Sequence, residues 1–138
     1  MMTTEAAYHQ LCAYTLGLGD PAFIHQHVVD AHAAQNATGT TKPIALTFSL
    51  VGLYLHLEKQ FSGKPVQRTH MYLAKRKRPW PSFPLPRERG TMTAVEVMAQ
   101  PAGAARARVI DAWCASVWSA YHESRGIVVE LLRECDID

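Results

Sequence analysis

This 138-residue chain is short of charge, of sulfur and of long apolar runs, and each shortage excludes something. A formal charge of +2 creates no global field that would draw a polyanionic partner. The three cysteines, Cys12, Cys114 and Cys135, have no Cys-x-x-Cys spacing, which argues against a disulfide framework or a zinc knuckle and leaves three free thiols. No run of about 18 residues is free of polar groups, so no membrane span is expected. The start, Met1 to Ala6, lacks the basic-then-apolar pattern of a signal peptide, and a cytoplasmic protein is the expectation. There is no HExxH, no di-iron ExxH pair, no phosphate-cradling glycine loop, no repeat and no convincing strand.

What the chain does have is helical periodicity. Tyr8, Leu11, Cys12 and Thr15 recur at helical spacing between Thr4 and Leu16, and Gly17 and Gly19 end that helix. A second helix is expected over about Pro21 to Gln35, with Asp20 as N-cap and Pro21 in the first turn. Its apolar arc runs through Ile24, Val28 and Ala31 and takes in His27 and Gln35, whereas His25 and His32 share another side. The run from Pro43 to Phe61 is apolar nearly all round, which marks a central helix covered on several sides. Its small-residue stripe, Ala45, Ser49, Gly52 and His56, meets either a close neighbour or a cavity with His56 at its end.

Val66, Thr69, His70 and Leu73 mark the inner face of a fourth helix. Four prolines between Pro79 and Pro86 forbid a helix and favour an extended strap pinned by Trp80 and Phe83. Thr93 with Glu96 forms a capping box for a short helix. A long helix follows, with Val109, Ile110, Trp113, Val117 and Tyr121 inward and Asp111 and His122 facing away. Ile127, Val128, Leu131 and Leu132 make a terminal amphipathic helix. The sequence therefore predicts an all-α, single-domain bundle of five to seven helices spanning residues 1–138, with a buried central helix at about 43–61 and a Pro-rich extended strap at 79–86.

Function rests on the histidines. His9, Cys12, His25, His27, His56 and His70 fall near inward faces or flanks of the first four helices, and imidazole and thiolate are ligands for zinc, iron, copper or nickel. A divalent transition metal is thus the candidate cofactor, with Asp30 and Glu58 as carboxylates able to take a proton from a metal-bound water. His25 and His27 point roughly 160° apart on a helix, so only one of them enters any single site. His25 and His32 stand about 10.5 Å apart along the axis, too far to chelate together. A bland core of hydrogen-bonded histidines accounts for each of these residues taken singly. A Cys12–His9 nucleophile lacks a third group to orient it, and Trp113 and Trp118 read as core anchors.

Residues 64 to 89 hold eight of the fourteen Lys and Arg residues, interleaved with Tyr72, Trp80 and Phe83. A nucleic acid or another acidic partner could meet such a segment, but no reading helix or RNP-like motif accompanies it. The leading expectation is a metal-binding or small-molecule-binding helical protein. The alternative is a non-catalytic interaction module, self-associating through apolar helix faces or using the basic segment.

The segments Tyr8-His-Gln-Leu-Cys-Ala-Tyr14, Asp20 to Ala31 with Gln35, Thr41-Lys-Pro43, Val51 to Glu58, Trp80-Pro81 and Ala112 to Trp118 together resemble the DUF5946 family, small bacterial proteins known as a domain of unknown function. The resemblance implies a bacterial, helical, cytoplasmic domain in which the segments bearing His9, His25, Asp30 and His56 belong to the family pattern. Some relatives carry an amino-terminal Cys-x-x-Cys element that suggests zinc. The element is missing from this sequence, so that implication is not carried over.

Overall fold

A computed structural model describes residues 2–137. It contains α1 (Thr4–Gly17), α2 (His25–Gln35), α3 (Pro43–Lys59), α4 (Gly63–Ala74), α5 (Ala94–Met98), α6 (Ala104–Ala120) and α7 (Arg125–Glu134), with a 3-10 turn at His122–Ser124. No strand occurs among the described residues, and no helix there is long and apolar enough to cross a membrane.

The central helix is the predicted one. Pro43 occupies its first turn, and Leu46, Leu50, Val51, Leu53, Tyr54 and Leu55 are all buried. An apolar helix without a polar face must be covered all round. Accordingly α3 packs against α2, α4, α6 and α7, while α1 covers another side of α2 and α5 lies between α1 and α6. Gln60 takes a left-handed conformation (φ 56°) and ends the helix, and the Phe61 amide returns to the Leu55 carbonyl at 3.0 Å. The helix therefore stops at Lys59 rather than Phe61, and the two residues beyond it turn toward α4.

The second helix starts four residues later than its sequence signals suggest. Asp20 does cap, but it caps a turn: its carboxylate accepts from the amides of Ala22 and Ile24 at 2.9 and 3.1 Å. Phe23 then adopts a left-handed φ of 58°, and the helix begins only at His25. The turn is held from outside, because the Ala22 carbonyl accepts the Gly63 amide at 2.7 Å and a Cβ at Gly63 would overlap the Phe23 carbonyl. This contact presses the start of α2 onto the N-terminus of α4.

The strap runs extended as predicted, with Trp80 edge-on to Phe48 at 5.6 Å and Phe83 half-buried against the core. Its far end is tied by two side chains. Arg89 donates to the carbonyls of Pro86, Gln35 and Ala37. Gln35 donates to the carbonyls of Arg89 (3.1 Å) and Met92 (2.7 Å) while its Oε1 accepts the indole N–H of Trp113 at 3.0 Å. Tyr121, buried just beyond the end of α6, donates to the Ala34 carbonyl at 2.6 Å, so Trp113 and Tyr121 both have their polar ends satisfied. The capping box at Thr93 and Glu96 is present, and the three cysteines are free.

Candidate functional site

The α2–α3 seam brings together two rungs of polar side chains one helical turn apart. In the first, the rings of His27 and His56 stack with centroids 3.5 Å apart and planes within 15°. In the second, the Asp30 carboxyl lies directly on the backbone of Gly52, where a Cβ would overlap it. Residues three or four apart share a helix face, so His27 with Asp30 and Gly52 with His56 form a register fixed by 3.6-residue periodicity. The small-residue stripe of α3 thus receives a side chain at Gly52 and a ring at His56.

His56 carries the contacts that reach furthest. Its Nδ1 lies 3.1 Å from the Phe61 carbonyl and its Nε2 lies 3.0 Å from Asp111 Oδ1 on α6. Both neighbours are acceptors. A neutral imidazole has one N–H and can satisfy one of them, whereas the doubly protonated ring donates to both. The side chain of Asp111 is 60% exposed, and among the described residues it makes no hydrogen bond besides that to His56.

His27 is only 4% exposed. Burial, reinforced by the neighbouring His56, depresses its pKa to about 4, with Asp111 and Asp20 pulling weakly the other way. Its ring is therefore neutral at pH 7, and its Nδ1 is buried without a partner. The stack joins a neutral ring to one flanked by acceptors on both nitrogens.

This pair forms the polar end of a cleft of about 470 Å³. Ala22, Ile24, Leu57 and Phe61 supply its apolar wall, and Gln60, Ser62 and Asp111 stand with the two histidines as its polar lining. The turn at Phe23 and the stop at Gln60 place these wall residues, because each ends or delays a helix where the cleft opens. No Lys or Arg lines the cleft.

The other residues singled out by sequence go elsewhere. Asp30, 3% exposed, accepts from the Gln26 amide at 3.1 Å, leaves Oδ2 unpartnered, and is pushed by burial well above the usual carboxylate range. Gln26 also meets His70 Nδ1 at 3.5 Å, and His70 Nε2 donates to the Phe48 carbonyl at 2.8 Å. His70 is thus part of a separate chain running from Asp30 to α3. His25 Nδ1 donates to Thr15 Oγ1 at 2.9 Å, the hydroxyl proton being directed at the Leu11 and Cys12 carbonyls. His9 is largely exposed beside Glu5, at 3.6 Å. Tyr8 stacks on His32 at 3.5 Å, and burial, helped by neighbouring Cys12, raises its pKa. Glu58 faces away from the cleft, accepting from Trp118 Nε1 at 2.8 Å and from Arg125 through Nε and Nη2; the Arg125 bonds hold its pKa down.

The six histidine and cysteine candidates therefore fall into several sites, of which only His27 and His56 meet. No three His, Cys, Asp or Glu side chains among the described residues are placed to hold a metal ion. Asp111 joins the cleft although the α6 wheel turns it to solvent, and the sequence carries no local signal for a partner 55 positions away. The basic segment is partly consumed internally: Arg76 donates to Tyr72 and to the Cys135 carbonyl, Arg78 pairs with Glu134 at 3.0 Å, and Arg89 ties the strap.

Fold and site define an all-α protein with one face opened into a His-His-Asp cleft. Residues 4–122 match the model of the Family of unknown function (DUF5946), and the chain belongs to that family. No curated protein and no solved structure matches it.

Proposed function

We propose that the protein binds a small organic molecule in the cleft between the α2 turn, the end of α3 and Asp111. The observation that carries this reading is the stacked His27–His56 pair at the end of an apolar-walled pocket, with the exposed Asp111 carboxylate beside it. A volume of about 470 Å³ lies in the usual range for small-molecule sites, and a few convergent polar groups on an apolar wall are their usual lining. His56 has both nitrogens engaged, so its part is to hold Asp111 in place, and Asp111 is the group free to meet a ligand or move a proton. A fragment library screened by amide chemical-shift mapping tests the reading. Shifts confined to residues 22–27, 56–62 and 111 support it, and a library in which no fragment perturbs these residues refutes it.

One arrangement favours a second reading, a divalent transition metal. A metal-ligating histidine characteristically donates one ring N–H to a carbonyl while the other nitrogen faces the ion. His56 has the carbonyl of Phe61 on Nδ1 and a carboxylate opposite Nε2. Two imidazoles and a carboxylate suit zinc, iron, copper or nickel. Here His27, His56 and Asp111 would be the ligands after a shift of side chains. Elemental analysis of protein purified without a histidine tag, and melting curves with each metal added, decide it: stoichiometric metal with a raised Tm supports this reading and neither effect removes it.

A further inference from the structure

The hydrogen-bonding inventory of the cleft is lopsided. His56 spends both nitrogens on the Phe61 carbonyl and on Asp111 Oδ1. His27 is neutral, and its Nδ1 is turned into the protein. The carboxylate in the lining is that of Asp111, which can accept about four hydrogen bonds and takes one from His56. Charge leans the same way. No Lys or Arg lines the cleft, and the acidic groups at this end are Asp111, in contact with His56, and Asp20, whose field reaches His27. Lys64 stands outside the lining, with its Nζ 4.4 Å over the Phe23 ring. An anionic head group would find only the uncharged donors of Gln60 and Ser62 in the lining, and a carboxylate at the mouth.

We infer that the cleft takes a small organic amine in its ammonium form, its N–H groups on Asp111 and its apolar body against Ile24, Leu57 and Phe61. This rests on the small-molecule reading above and names the ligand class for that site. The ammonium gains a charge-assisted hydrogen bond. The Phe61 ring adds apolar surface next to the cation, and the His56 ring fixes the Asp111 carboxylate so that little side-chain entropy is lost on binding.

The test titrates the full chain with benzylamine, benzyl alcohol and benzoate, which share one ring and differ in the head group, following amide shifts in wild type and in Asp111→Asn. Benzylamine should shift Ile24, Leu57, Phe61 and Asp111 saturably and bind more tightly than the other two probes. Asp111→Asn should weaken benzylamine about fivefold, as befits a partly exposed ion pair, with a nearly unchanged melting curve because the amide oxygen can still accept from His56. Equal or tighter binding of benzyl alcohol or benzoate at the same amides overturns the amine assignment and leaves the small-molecule site standing. Benzylamine affinity unchanged in Asp111→Asn also overturns it. No probe shifting these amides overturns the amine assignment too, and it refutes the site itself if the fragment library is equally silent there.

Discussion

The carboxyl of Asp30 is seated on the bare backbone of Gly52, so that α2 and α3 approach as closely as they do because position 52 has no side chain. Gly52→Ala should therefore destabilise the protein by about 1 to 3 kcal/mol, the usual cost of overpacking a core. Urea unfolding measures it. If the clash is with Asp30, the Gly52→Ala, Asp30→Ala double variant loses less than the sum of the two single variants.

The left-handed Phe23 and the tight contact at Gly63 make a comparable case at the rim of the cleft. Gly63→Ala drives a methyl group into the Phe23 carbonyl and must displace the turn that carries Ala22 and Ile24. We expect a loss of about 2 kcal/mol together with amide shifts at residues 20–25. A variant as stable as wild type with those amides unmoved would contradict this account.

Acid should act on His27. Its folded pKa of about 4 lies below the ordinary 6.5, so between these values the unfolded chain binds more protons than the native one. The stability it confers is fully present above pH 6.5 and is lost as the pH falls toward 4, a contribution of about 3 kcal/mol. Asp30 has the opposite sign: its raised folded pKa makes its contribution greatest below 3.8 and erodes it as the pH rises. Comparing wild type with His27→Asn across pH 4 to 7 isolates the first effect, and the variant should show the shallower acid-side slope.

Glu58 joins Trp118 to Arg125, and the two partners are not equivalent. Glu58→Ala leaves the indole N–H of nearly buried Trp118 without an acceptor and should cost about 1 to 2 kcal/mol. Arg125→Ala leaves that bond intact and removes only a half-exposed ion pair, so a smaller loss than that of Glu58→Ala is expected. Equal losses in urea melts would show that the Trp118 bond contributes nothing.

Thiol labelling should divide the cysteines. Cys12 is half-exposed, whereas Cys114 and Cys135 are buried and burial pushes the Cys114 thiol upward in pKa. One thiol is expected to react with a disulfide reagent in the native protein and two only on unfolding.

The architecture was legible because its signals are local. Pro43, the unbroken apolar run behind it, the Thr93–Glu96 box and the crowd of prolines each act within a few residues, and each has the predicted effect. Asp20 misled by four residues because Phe23, a bulky residue, takes a left-handed φ that only the contact with α4 stabilises. The stripe at Ala45, Ser49, Gly52 and His56 announced that something comes close without saying what. His56 could be picked out from sequence; Asp111 could not, because its partner is supplied by the packing of α3 on α6.

No residue of the proline strap lines the cleft, yet the strap bears on it. Arg89 and Gln35 hold the strap's end to the last turn of α2, and Gln35 grips Trp113, two residues along α6 from Asp111. Sliding α6 along its axis would break the Gln35–Trp113 bond as well as the contact of Asp111 with His56. The strap thus works as a gauge block, seating the Gln35 side chain that spaces α2 from α6 while adding no side chain of its own to the cleft.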